Sequence, residues 1–227
     1  MKNNSDNNNL KDSCGIEISV DINYKQHWNN AYTKTSTTKL GWYEENPEPS
    51  LRLIKQLNLD KSNSILNVGA GTSTLIGELC NEGYQNIIVN DISSTALGLM
   101  KENLKSSSEV LTFIEDDLSN PTKLNTLENI HVWHDRAVLH FLTESKDQDV
   151  YFKLLSSVLN KDGYAIIATF NKEGATRCCG LPVCRYNSKE LKDKLGKEFE
   201  LIESFNYSFI TPSDDTREYI YTLFRKK

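Results

Sequence analysis

No apolar run in this chain of 227 residues approaches the roughly 20 needed to cross a bilayer, and the first residues carry no basic segment followed by an apolar one. Neither a membrane span nor a secretory leader is expected. An excess of basic charge is also missing. The 26 Lys+Arg stand against 31 Asp+Glu, a formal charge of −5, so no general field draws the chain to phosphate backbones or anionic lipid. General nucleic-acid binding and membrane partners are thereby excluded. Paired C-x-x-C arms are lacking as well: Cys14, Cys80, Cys178, Cys179 and Cys184 are odd in number and scattered, which predicts free thiols, no metal site and a cytoplasmic protein. There is no internal repeat. The Asn/Ser/Asp/Lys-rich stretch from Met1 to Ser13 has almost nothing to bury and is expected as a disordered tail, residues 1–13, ahead of a single α/β domain, residues 14–227.

What is present is a regular alternation. Ser64 to Val68 is a short β-leaning run that stops at Gly69, and Thr72 to Cys80 reads as a helix. Asn86 to Val89 is a second strand ending in Asn90-Asp91, after which Ser93 caps a helix through Leu97, Met100 and Leu104. Val110 to Ile114, Ile130 to Trp133 and Tyr164 to Phe170 are three more strands, with a helix at Asp147 to Leu159 before the last, which is entered from Asp162-Gly163. Strands alternating with helices predict a mostly parallel sheet of Rossmann-like α/β type. Ser188 is read as the N-cap of the final helix. The strands Phe199 to Ile210 and Arg217 to Phe224 then close the chain as a β-hairpin, with one antiparallel strand at the sheet edge. Two helices, Tyr24 to Tyr32 and Pro47 to Leu57, precede the first strand.

Gly69 and Gly71, with Ala70 between them, sit at the first strand-to-helix turn, where absent side chains let a ligand lie against backbone N–H groups. The third glycine of the dinucleotide fingerprint is missing, with Thr74 in its place. Asp91 lies 22 positions after Gly69, at the end of the second strand, where a carboxylate can accept both ribose hydroxyls of an adenosine, and Ile92 follows it. A glycine turn with a capping Asp is the bland alternative.

In this order, Asn67-Val-Gly-Ala-Gly, Val89-Asn-Asp91 and Ile114-Glu-Asp-Asp-Leu118 resemble the motif series of class I S-adenosylmethionine (SAM)-dependent methyltransferases, from about Tyr24 onward. The C-terminal hairpin is part of that fold and absent from the common dinucleotide fold. The resemblance implies SAM as cofactor, with Asp117 and the backbone of Leu118 at the adenine, Asp116 being the neighbour most easily confused with Asp117. One departure is plain: the family usually has Asp or Glu where this chain has Asn67, which weakens the expected contact to the methionine amine. Further elements, His27-Trp28-x-x-x-Tyr32, Leu40-Gly-Trp-Tyr43, Trp133-His-Asp-Arg-Ala-Val-Leu-His-Phe141 and Gly180-Leu-Pro-Val-x-Arg-Tyr186, resemble small methyltransferases related to the elongation-factor lysine methyltransferase branch. In that branch Trp/Tyr elements fold over the SAM, here Trp28, Tyr32 and Trp42; a sulfonium or ammonium on an aromatic face gains roughly 0.5–2 kcal/mol.

Methyl transfer is an in-line displacement at carbon, so holding the acceptor about 3–3.5 Å from the methyl is the main task. His134, Asp135 and His140, after the fourth strand, are the catalytic candidates: a histidine to take a proton, the aspartate to orient it or hold an ammonium. His134 also borders the cofactor. Arg136, Arg185 and Tyr186 are the candidates for binding the acceptor, a small molecule or a protein side chain offering N, O or S. Cys178, Cys179 and Cys184 allow a thiophilic metalloid acceptor instead. A non-catalytic SAM-fold scaffold and an NAD-dependent oxidoreductase are the remaining alternatives, and Asp135 as a simple cap is the bland one.

Overall fold

Five runs of branched and apolar residues become parallel strands: β1 (Ile65–Val68), β2 (Ile87–Asp91), β3 (Leu111–Glu115), β4 (Ile130–Arg136) and β5 (Leu159–Phe170). The computed structural model describes residues 22–227, so the expected tail of residues 1–13 lies outside the described residues. A hairpin of β8 (Phe199–Ile210) and β9 (Thr216–Lys226) completes one seven-stranded sheet in the order β3-β2-β1-β4-β5-β9-β8. β9 runs antiparallel to both β5 and β8. The antiparallel strand therefore lies inside the sheet and not at its edge, a correction to the expected placement; β8 is the edge, where Ile202 and Ile210 stay exposed. A two-strand ribbon, β6 (Arg177–Cys178) and β7 (Leu181–Pro182), stands apart. Cys179 and Gly180 form its turn, both with positive φ, as a tight hairpin of this hand requires.

Successive residues of a strand point to opposite faces, and both faces are covered. Ile65, Val132 and Ile166 pack with helices α2 (Glu48–Lys55), α3 (Leu75–Asn81) and α4 (Ser94–Asn103); Leu66, Trp133 and Ile167 pack with α5 (Ser145–Val158) and α6 (Ser188–Leu195). A further helix, α1 (Tyr24–Lys34), lies against α4. α3 begins three residues later than periodicity suggests, because Ser73 N–H turns back to the Ala70 carbonyl at 2.9 Å and Ser73 Oγ accepts from Leu75 N–H. α6 is capped by Asn187, not Ser188: the Asn187 side chain and Glu190 exchange hydrogen bonds as a capping box. Asp162-Gly163 falls within β5, at the register shift against β4, with Asp162 at φ 63°.

The end of β4 is held by a buried relay. Trp133 Nε1 donates to Tyr151 Oη at 3.1 Å, Tyr151 donates to Asp135 at 2.7 Å, and Asp135 accepts the N–H groups of Val138 and Leu139 at 3.0 Å each. Burial pushes the Asp135 carboxyl up to about 6, against the pull of these donors. Tyr151→Phe is expected to lower stability by about 1.5–3 kcal/mol, the range for a hydrogen bond to a charged group. The sign with pH follows from the removed donor, which favoured the ionised form: urea denaturation should show the loss shrinking below about pH 6, where Asp135 is protonated in both proteins.

Candidate active site

The crossover reverses direction between β1 and β4, and a cleft opens there at the carboxyl ends of the strands, the usual ligand position in such sheets. It is an open cleft lined by residues of both the sheet's carboxyl ends and the segment before β1, among them Trp28, Trp42, Asp91 and His140. Gly69 and Gly71 adopt φ of 54° and 55°, a region that disfavours side chains. A Cβ on Gly69 would lie 2.2 Å from Val138 Cγ2, and one on Gly71 would lie 2.1 Å from Tyr32 Oη. Protein atoms therefore take the space that sequence reasoning left to a ligand. The Ala70 N–H is likewise spent on the Asn90 carbonyl at 2.8 Å.

Asp91 is 5% exposed at the cleft wall, accepting Gly71 N–H and Ser93 N–H at 2.7 Å each. Each carboxylate oxygen keeps a second lone pair for a hydroxyl. Burial pushes its pKa up to about 6. Ile92, Asp117 and Leu118 line the same cleft, with Asp117 accepting Ser119 N–H and Oγ on one oxygen. Asp116 is distinguished from Asp117 by its work: burial raises it, but the N–H groups of Leu124, Lys123 and Thr122 hold its carboxyl below the ordinary value, and it anchors the turn after β3.

Aromatic rings form the opposite wall. Tyr32–Trp42, Trp42–Trp28, Trp28–Phe141, Phe141–His140, His140–Phe170 and Phe170–Tyr219 follow one another at centroid separations from 5.7 Å down to 4.4 Å. All but Phe170 face the cleft, and Trp42 donates to Tyr32 Oη at 3.1 Å.

The proton-transfer candidates are placed differently from expectation. His134 is locked between Ser50 Oγ at 2.9 Å and Asn67 Oδ1 at 3.3 Å. His140 accepts Phe170 N–H on Nδ1, which leaves its proton on Nε2, a donor and not a base. Burial, aided by the nearby Arg136 charge, drives both imidazoles down to about 3, so neither takes a proton near neutral pH. Asp135 is consumed by the relay beneath it. Arg185 and Tyr186 are not among the residues lining the cleft: the Arg185 guanidinium donates to the carbonyls of Lys172 and Gly174, and Tyr186 packs in the α5/α6 core. Cys178 does reach the cleft. Cys80, Cys178 and Cys179 are free, but Cys184 is disulfide-bonded, which corrects the expectation of free thiols throughout.

A smaller chamber adjoins the cleft, sharing Trp42, Gly69 and Arg136 with it and adding Glu44, Asn67 and His134. Arg136 Nε lies 2.9 Å from Glu44 Oε2, its Nη1 donates to the Trp42 carbonyl at 3.0 Å, and its guanidinium covers the ring of Phe209. Burial raises the Glu44 carboxyl, with Arg136 drawing it back. Sequence reasoning does not single out Glu44, Val138 or Tyr219. Glu44 directly follows the Leu40-Gly-Trp-Tyr43 element and was within reach; the other two carry no signal of their own.

A parallel sheet with an antiparallel β9 next to β5, a glycine turn after β1 and a carboxylate at the end of β2 are features of the SAM methyltransferase fold. The chain matches the family model described as "Methyltransferase domain" over residues 59–226 and belongs to that family. It is 24% identical over 194 residues to EEF1A lysine methyltransferase 2 of Mus musculus, covering 79% of this chain and 72% of that one. A relative from Methanocaldococcus jannaschii, provisionally named a protein N5-glutamine methyltransferase, is 34% identical over 134 residues, 56% of this chain and 61% of the relative. The fold is shared with the N-methyltransferase NodS of Bradyrhizobium japonicum, solved with S-adenosylhomocysteine, at a TM-score of 0.69 and 14% identity over 90% of this chain and 99% of that one. The protein is a SAM-dependent methyltransferase, which sets aside the NAD and scaffold readings.

Asp91→Ala is expected to weaken SAM binding by about 1.5–3 kcal/mol in calorimetry. If Asp91 holds the ribose, affinity in the parent should fall as pH drops through about 6, where its carboxylate becomes protonated, and the variant should lose that pH dependence. An unchanged affinity in the variant overturns the assignment of Asp91.

Proposed function

We propose that the enzyme methylates nitrogen, and that its acceptor is the side-chain amine of a lysine on a protein. The observation that carries this reading is the ring-lined wall together with the two site histidines, His134 and His140, which burial holds neutral so that neither takes a proton there. An amine or ammonium is favoured against aromatic faces, and an apolar wall shifts a lysine toward its neutral, nucleophilic form. His140 Nε2–H, at the cleft, has no partner among the described residues and is a donor suited to a carbonyl next to the acceptor, leaving the amine's lone pair free for the methyl. SAM supplies the methyl group when bound; this chain's residues position, exclude water and leave the departing proton to solvent. The two relatives named for protein lysine and protein glutamine methylation favour a protein acceptor. Among the described residues no helix is long and apolar enough to cross a membrane.

A second reading has one observation behind it: Cys178 lines the cleft and its Sγ lies 3.6 Å from that of Cys179, an arrangement that suits a thiophilic metalloid. Cys184 is not available as a third thiolate.

With SAM carrying a labelled methyl group and purified EEF1A as acceptor, label should appear on lysine. At saturating SAM, kcat/KM for the protein acceptor should climb with pH toward the lysine value of about 10.4, with no inflection near the ordinary histidine value of about 6.5. Label confined to metabolites, or a histidine inflection, sinks the lysine reading. Loss of all turnover in Cys178→Ser and Cys179→Ser with SAM binding intact would transfer the assignment to the soft acceptor.

A further inference from the structure

The chamber beside the cleft holds three polar groups with nothing to bond. Glu44 has a side chain 7% exposed, and while Oε2 faces Arg136, its Oε1 is buried without a partner. Asn67 turns Oδ1 to His134, which leaves the Nδ2 amide buried and unpaired. Arg136 Nη2 is buried without a closed hydrogen bond as well, on a guanidinium whose Nε faces Glu44 as an ion pair, whose Nη1 bonds the Trp42 carbonyl, and whose neighbour, the Tyr221 hydroxyl, is itself without a closed bond. Buried polar atoms without partners are rare, and three around one chamber mark a place where a ligand completes the bonding. Their chemistry is mixed: one anionic acceptor, one neutral donor, one cationic donor. A carbon bearing both an ammonium and a carboxylate answers all three.

We propose that Glu44 receives the ammonium of the cofactor's methionine arm, in place of the carboxylate that Asn67 lacks, while Arg136 and the Asn67 amide receive the arm's carboxylate. The chamber and the cleft are walled by the same Trp42, Gly69 and Arg136, so a ligand whose nucleoside lies in the cleft has the chamber beside its other end. Glu44 reaches this position from the segment between α1 and α2, and its backbone carbonyl is tied down by Thr74 Oγ1 at 3.0 Å, on the turn leading into α3. The carboxylate has moved from the sheet to the segment that covers it, and β1 keeps only the neutral amide. The inference rests on the cofactor and not on the lysine acceptor, so turnover plays no part in testing it.

Calorimetry with two ligands separates the arm from the nucleoside: S-adenosylhomocysteine carries the amino-acid arm, and 5′-methylthioadenosine lacks it. Glu44→Gln is expected to weaken S-adenosylhomocysteine by about 10- to 100-fold, the range for a charged hydrogen bond, and to leave methylthioadenosine within about twofold. Glu44→Gln combined with Asn67→Asp returns a carboxylate to the chamber and should recover most of the lost affinity, which a merely damaged fold would not do. An S-adenosylhomocysteine affinity unchanged in Glu44→Gln overturns the proposal. So does an equal loss for both ligands that the double variant fails to restore. Failure of the parent to bind either ligand would instead strike at the cofactor.

Discussion

The carboxylate of Asp135, buried at the end of β4, is the constraint on which the rest of the site depends. By accepting the Val138 and Leu139 N–H groups while Tyr151 holds it from below, it bends the chain sharply as it leaves the sheet. Ala137 takes a φ of 68° in that bend. The bend sends Val138 under Gly69, puts His140 and Phe141 into the ring-lined wall, and leaves Arg136 pointing toward Glu44. An aspartate in an active site invites a catalytic reading; this one serves by fixing where four neighbours stand.

The fold was legible because its signals are local. Apolar runs of four to seven residues closed by polar or turn residues and alternating with helical stretches are sufficient to name a parallel sheet, and the long terminal runs around Thr211-Pro212 are sufficient to name a hairpin. Which of the hairpin's strands joins the sheet was not legible, since pairing is decided by packing of β9 residues such as Tyr221 and Phe224 on the two faces rather than by anything inside the strand. The cap of α6 was misplaced by one residue for a simple reason: Asn187 and Ser188 are both good caps, and only the Glu190 partner three positions on separates them.

For the site, the positions set by the sheet were readable and the burial of the histidine and loop candidates was not. Asp91 and the glycines occupy positions set by the sheet itself. His134, His140, Arg185 and Tyr186 were chosen by residue type, and type does not report burial: two histidines that look like bases on paper are driven to about 3 by the apolar surroundings and the Arg136 charge. Arg185 was spent on backbone carbonyls that no sequence pattern announces. Glu44 was overlooked because a glutamate in an irregular segment reads as surface, whereas its partner Arg136 is 92 positions away in the chain.

The interior position of β9 also bears on how the polypeptide acquires its shape as it leaves the ribosome. β8 precedes β9 in the chain but joins the sheet only through it. While β8 is already exposed and β9 is still being made, the free flank of β5 stands open and β8 has no seat, with the Ile202 and Ile210 side chains unprotected beside it. The nascent chain thus passes through an interval in which two unpaired strand margins coexist, the condition in which holdase chaperones are most needed. Once the eleven residues of β9 are available, they can zip first with β8 through the short Thr211–Asp215 turn, a contact of low sequence separation, and the finished ribbon then docks as a unit.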